Sequence, residues 1–198
     1  MDTGHPPTEA RTRAFVAVHP DAPTLAAIAD LLAMLQARER EAIRWIRPEQ
    51  AHFTLRFFGD CDAAEVEAAA RVLSAVAAAA AGFRLSLDGL GAFPDWRRPR
   101  IVWLGSGEGG GTLEQLARTL DAAFRDVGLD RSDRPFRAHL TLGRVREGCT
   151  LSPATLALLE GMRPVLPAFQ VESVQLVASR LTPSGAIHRA IASARLEG

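Results

Sequence analysis

The sequence predicts an α+β fold, on three observations. Segments of strand and helix character interleave along the 198 residues. Several strands nevertheless follow one another with no helix between them, which disfavours an uninterrupted parallel sheet. Apolar residues make up 47 % of the chain, enough for one domain or two small lobes around a shared core.

Each element carries its own signal. Residues 1–10 hold no apolar segment and are expected to form a flexible leader. Residues 13–18 are a short apolar run stopped by His19-Pro20, a strand. Residues 21–40 repeat apolar side chains at helical spacing through Leu25, Ile28, Leu31, Leu32 and Leu35. Residues 43–46 read as a strand ended by Pro48. Residues 52–58 alternate strictly, with His52, Thr54 and Arg56 on one face and Phe53, Leu55 and Phe57 on the other.

Alanine and glutamate make residues 62–81 a helix. Residues 83–90 alternate as one strand, and 101–104 form another after a polar loop. The glycine-rich stretch 105–111 reads as a flexible connection; a phosphate-cradling loop would continue Gly-Lys-Ser/Thr, and Thr112-Leu113 follows instead. Thr112 caps a helix over 112–127 that stops at Gly128. Residues 139–145 are a strand, Ser152-Pro153 opens a short helix, and 169–181 and 186–196 are two strands joined by a turn at 182–185.

Composition narrows the function. The formal net charge is zero, and all 23 basic residues are arginine. A neutral total argues against coating long nucleic acid through a broad basic field, but not against gripping one phosphate with guanidinium groups. Cys61 and Cys149 form neither a zinc motif nor a disulfide framework, which fits a reducing cytoplasm. No apolar run approaches the ~20 residues that span a bilayer, so no membrane partner is expected.

An internal repeat carries the chemistry. Arg47-Pro48-Glu49-Gln50-Ala51-His52-Phe53-Thr54-Leu55 recurs as Arg134-Pro135-Phe136-Arg137-Ala138-His139-Leu140-Thr141-Leu142, with six of nine positions identical. In a strand, residues i and i+2 share a face about 7 Å apart, so an imidazole and a hydroxyl can reach one ligand together. Imidazole can give or take a proton near neutral pH, and a hydroxyl can donate to a phosphoryl oxygen. Two such pairs facing one cleft supply an acid, a base and two donors, which is what in-line displacement at phosphorus needs. A zinc site would want a third ligand in a compact cluster, and none is visible in the spacing, so no metal is expected. Gly105-Ser106-Gly107 is not the Gly-x-Ser-x-Gly turn of a serine hydrolase.

The paired His-x-Thr-Leu segments resemble those of the 2H phosphoesterase superfamily. More narrowly, the chain is similar to its RNA 2′,3′-cyclic phosphodiesterases, also called 2′-5′ RNA ligase-like proteins. The resemblance extends over residues 13–18, 52–59, 87–94, 102–105 and 134–144. It implies one bilobal domain over residues 11–198, with two antiparallel sheets facing a central cleft and helices outside. It also implies hydrolysis of RNA-terminal 2′,3′-cyclic phosphate to a 2′-phosphate, without metal or other cofactor. By that likeness His52 protonates the departing 3′-oxygen, His139 activates water, and Thr54 and Thr141 bind phosphate oxygens. Arg144 contacts the phosphate or stacks on the base. Phe15 is a candidate for base stacking, and Arg56, on the His52 face, could serve in place of Arg144. Strict alternation puts Arg144 on the face opposite His139, so its role needs a bulge or a strand end there.

The expected partners are RNA ends or cyclic nucleotides as substrates, with no obligate protein partner and a monomeric state. Sealing of 2′-5′ ends at the same site, and a non-catalytic RNA- or nucleotide-binding module, stand as alternatives. His5 and His19 are expected to be solvated, and His188 has no assigned role.

Overall fold

The computed structural model describes residues 11–129, 136–183 and 185–198. The expected leader, His5 and the Arg134-Pro135 start of the second repeat lie outside them. Among the described residues, ten strands and four helices follow in chain order: β1 (Thr12–Val18), α1 (Ala22–Arg38), β2 (Ile43–Trp45), β3 (Phe53–Cys61), α2 (Ala63–Ala78), β4 (Phe83–Leu85), β5 (Leu87–Phe93), β6 (Ile101–Ser106), α3 (Gly110–Asp126), β7 (His139–Val145), α4 (Pro153–Gly161), β8 (Phe169–Val171), β9 (Ser173–Thr182) and β10 (Gly185–Arg195).

Eight strands form one sheet in the order β10-β9-β1-β3-β7-β6-β5, with β2 added beside β7, and β4 and β8 form a separate ribbon. Every pairing among them is antiparallel, in keeping with an α+β fold. The large sheet has two halves. One is β10-β9-β1-β3, the other is β2 and β7-β6-β5. Among the described residues they join through a single paired position, Phe53 opposite Leu140. Both of these side chains are fully buried, in a core cluster that takes residues from both halves and from the helices.

Local chemistry explains the helices. Asp21 accepts a hydrogen bond from the Thr24 amide at 3.0 Å to open α1. Asp62 and Glu65 form a reciprocal capping box on α2, and Ser152 caps α4 ahead of Pro153. Helix α3 begins two residues before the expected cap. Its cap is Gly109, with φ of +78°, pressed so closely on the Arg84 carbonyl that a Cβ could not fit. The glycine-rich stretch is therefore a close-packed helix start and not a loose connection.

Two long strands read from the sequence are each divided. Residues 83–90 become β4 and β5, and 169–181 become β8 and β9, because the chain passes from the ribbon to the large sheet at Ser86 and at Glu172. Alternation continues across Ser86, so the pattern carries no mark of the change there; at Glu172 the buried positions step from Phe169 and Val171 to Val174 and Leu176, a change of parity that the single long strand passed over. Among the described residues no helix is long and apolar enough to cross a membrane.

Candidate active site

The two repeats meet at the seam. Pairing of Phe53 with Leu140 in antiparallel register sets His52 across from Thr141 and Thr54 across from His139 when extended one residue each way. Opposed side chains in such a pair share a face. The buried Phe53 and Leu140 point into the core, so all four polar side chains stand on the other face, each partly exposed. One cleft is lined by His52, Thr54, His139, Thr141, Arg144 and His188.

Each imidazole is held by the same local device. His52 Nδ1 lies 2.6 Å from the Gln50 carbonyl, and His139 Nδ1 lies 2.7 Å from the Arg137 carbonyl. A carbonyl only accepts, so Nδ1–H donates in both, and Nε2 is the nitrogen left to exchange protons. A 3₁₀ turn at Pro48–Gln50, ahead of β3, presents the first of these carbonyls. The short backbone step from His back to residue i−2 is thus reproduced in both copies of the repeat.

Aromatic rings fix the planes. Phe15 stacks on His52 with centroids 4.9 Å apart, and Phe93 packs edge-on against His139, also at 4.9 Å. Trp103 lies behind His139 at 6.3 Å. His188 and His19, both left out of the site by the sequence, sit 5.3 Å and 5.7 Å from the His52 ring. His19 is only partly solvated: it is half-buried, and its Nδ1 is buried with no hydrogen-bond partner among the described residues. A sequence signal existed for His19, which continues the Phe15, Ala17 face of β1 beside β3. None existed for His188, which arrives from the far end of the chain.

Burial pushes His52 down to about 4, against the raising effect of the Gln50 carbonyl, and the nearby His19, His188 and His139 push it further down. His139 is also lowered, mainly by burial, with the Arg137 carbonyl opposing and the Arg144 guanidinium adding to the fall. Both shifts favour the neutral imidazole.

Two bulges decide which arginine faces the cleft. In β3 the register against β1 shifts at Leu55, so Thr54 faces Ala17 while Arg56 faces Val16. Arg56 consequently turns inward. It is 3 % exposed, forms an ion pair with Asp121 of α3 and donates to the Leu129 carbonyl at 2.8 Å. Its expected place on the His52 face is overturned, and Phe57, 43 % exposed, takes that face. In β7 the register against β6 shifts at Leu142, and this bulge turns Arg144 toward the side of His139 and Thr141. Phe15 is 4 % exposed, with its ring occupied by His52 and His188. It supports the imidazole and offers no open face to a base. Among the described residues no group of three or more His, Cys, Asp or Glu side chains is arranged to hold a metal ion.

Comparison with known proteins gives the chain's relatives. Residues 12–182 match the 2′-5′ RNA ligase superfamily. The chain is 32 % identical to an RNA 2′,3′-cyclic phosphodiesterase of Methanothermobacter thermautotrophicus, over 90 % of this chain and 95 % of that protein. It is 31 % identical to the protein of the same name from Archaeoglobus fulgidus, over 89 % and 96 %. Among solved structures, a protein of Thermus thermophilus superposes with a TM-score of 0.77 at 28 % identity, covering 94 % of this chain and 98 % of the other. Escherichia coli LigT complexed with 3′-AMP superposes with a TM-score of 0.72 at 27 % identity, covering 95 % and 99 %.

Proposed function

The chain belongs to the 2′-5′ RNA ligase superfamily, and from that membership we propose that it hydrolyses RNA-terminal 2′,3′-cyclic phosphate to a 2′-phosphate, with His52 and His139 as acid and base. The observation that carries the residue assignment is the seam. Two His-x-Thr pairs from opposite halves share one face, and each imidazole has Nδ1 tied and Nε2 free.

The chemistry follows from those atoms. Water attacks phosphorus and gives a proton to His139 Nε2. The P–O3′ bond breaks, and the departing oxygen takes a proton from His52 Nε2, leaving a 3′-hydroxyl and a 2′-phosphate. Thr54 and Thr141 hydroxyls donate to the non-bridging oxygens, and Arg144 supplies a guanidinium to the same charge. The anionic substrate itself favours an imidazolium beside it, so the acid acquires its proton as the phosphate binds. Both motifs come from one chain, so the site needs no second copy, and we read the protein as a monomer. Two cysteines, Cys61 and Cys149, with no Cys-x-x-Cys pair, suit a reducing compartment such as the cytoplasm.

The test is incubation in EDTA with an oligonucleotide ending in a 2′,3′-cyclic phosphate, with identification of the product. His52→Ala and His139→Ala should each lower kcat by about 10²–10⁴-fold. Full activity in both variants would overturn the assignment, and a 3′-phosphate product would overturn the direction of ring opening.

A further inference from the structure

We propose that the groove beside the seam, between β3, β6 and α3, holds the single-stranded RNA that leads to the terminal cyclic phosphate. The inference rests on the function proposed above and extends it from one nucleotide to an oligonucleotide. A cyclic phosphate bridges the 2′ and 3′ oxygens, so the rest of the chain leaves the same ribose through its 5′ oxygen and must run out of the cleft.

The groove opens directly from the site, since Thr54, Phe57 and His139 line both. Its volume is about 1090 Å³ against about 580 Å³ for the cleft itself. That exceeds the ~300–1,000 Å³ typical of a pocket for one small ligand. Its surface alternates the two chemistries that hold single strands without reading sequence. Phe57, Phe93 and Phe136 line it with aromatic rings, Phe57 with Arg13 over one face and Phe93 packed on His139 and Trp103, and the exposed Arg100, Arg118 and Arg137 offer guanidinium groups. The carboxylate among its lining residues, Asp121, is taken by Arg56 and by Arg125 at 2.5 Å, so its charge does not oppose a phosphate chain. A protein with no net charge thus concentrates positive charge where a strand would pass.

The experiment compares Arg100→Ser/Arg118→Ser with the unaltered protein on two substrates, a cyclic mononucleotide and an eight-nucleotide RNA ending in 2′,3′-cyclic phosphate. For the RNA, kcat/KM should fall about tenfold, and the slope of log(kcat/KM) against log[salt] should lose about 1.4, near 0.7 for each phosphate contact removed. For the mononucleotide, kcat/KM should stay within about twofold, because neither arginine contacts the reacting phosphate. Equal losses on both substrates, or no loss on either, overturn the groove assignment. If the unaltered protein turns over neither substrate, the proposed reaction fails while the groove is still tested by binding. A fluorescein-labelled eight-nucleotide RNA ending in a 2′-phosphate should then bind the double variant more weakly by a similar factor, and unchanged affinity refutes the groove.

Discussion

The chemistry of the site turns on which nitrogen of each imidazole is left free and how readily it takes a proton. Carbonyl partners hold both Nδ1 atoms as donors, and burial pulls both imidazoles below 6.5, His52 to about 4. The value of kcat/KM follows the free protein, and it needs one imidazole charged and the other neutral. Its pH profile should therefore be a bell bounded by a value near 4 and another under 6.5. The maximum lies below pH 6.5, and the rate falls about tenfold per unit above it. A maximum at pH 7.5 or higher, with chemistry rate-limiting, would remove this pair as the acid and base. Arg56 makes the opposite kind of prediction. Its guanidinium is interior and paired, so Arg56→Ala should lower stability by about 2–4 kcal/mol in urea unfolding. The folded enzyme should keep kcat within a few-fold of the unaltered protein. A hundredfold loss of kcat without loss of stability would return Arg56 to the site. The sequence made His52, Thr54, His139 and Thr141 legible because period-2 alternation holds for short distances. It misplaced Arg56 because one extra residue in β3 inverts every face beyond it, and a bulge leaves no compositional trace.

The bulges are also what the elements contribute as elements. The register shift in β7 turns Arg144 to the catalytic side, while that in β3 removes Arg56 and brings Phe57 forward. A regular β3 would keep Arg56 beside Thr54, and a regular β7 would turn Arg144 away from Thr141, so the two bulges exchange one arginine for the other on the catalytic face. Helices were legible because periodicity, composition and caps are local: Ser152 is found capping as read, and α1 and α2 begin within two residues of the starts that spacing and composition gave. The start of α3 was not, because Gly109 answers to a carbonyl of β4 distant in sequence. Gly109→Ala combines a Cβ clash with a left-handed backbone. It should cost about 1–3 kcal/mol, seen as a lower Tm, and leave kcat of the folded protein unaltered. An unchanged Tm would mean the helix start relaxes freely, contrary to close packing against Arg84.

The whole molecule explains how a seam one residue pair wide can hold a catalytic geometry. The chain alternates between halves: β1 lies in one, β2 in the other, β3 returns, β5, β6 and β7 cross again, and β9 and β10 come back. Neither half is a continuous segment, so completing either one carries the chain through the other. Beneath the seam, Phe53 and Leu140 belong to a cluster that joins Val16 of the first half, Leu104 of the second and Leu120 of α3. The two His-x-Thr pairs are thus referenced to one interior, even though only one ladder position connects them. This has a thermodynamic signature. Thermal unfolding should be a single transition, with calorimetric and van't Hoff enthalpies equal, and with loss of near-ultraviolet and far-ultraviolet dichroism at one temperature. Independent halves would instead give two transitions or a calorimetric enthalpy well above the van't Hoff value. In that event the cleft would be a hinge between separately stable lobes, and the mutual placement of His52 and His139 would have to be set by the substrate.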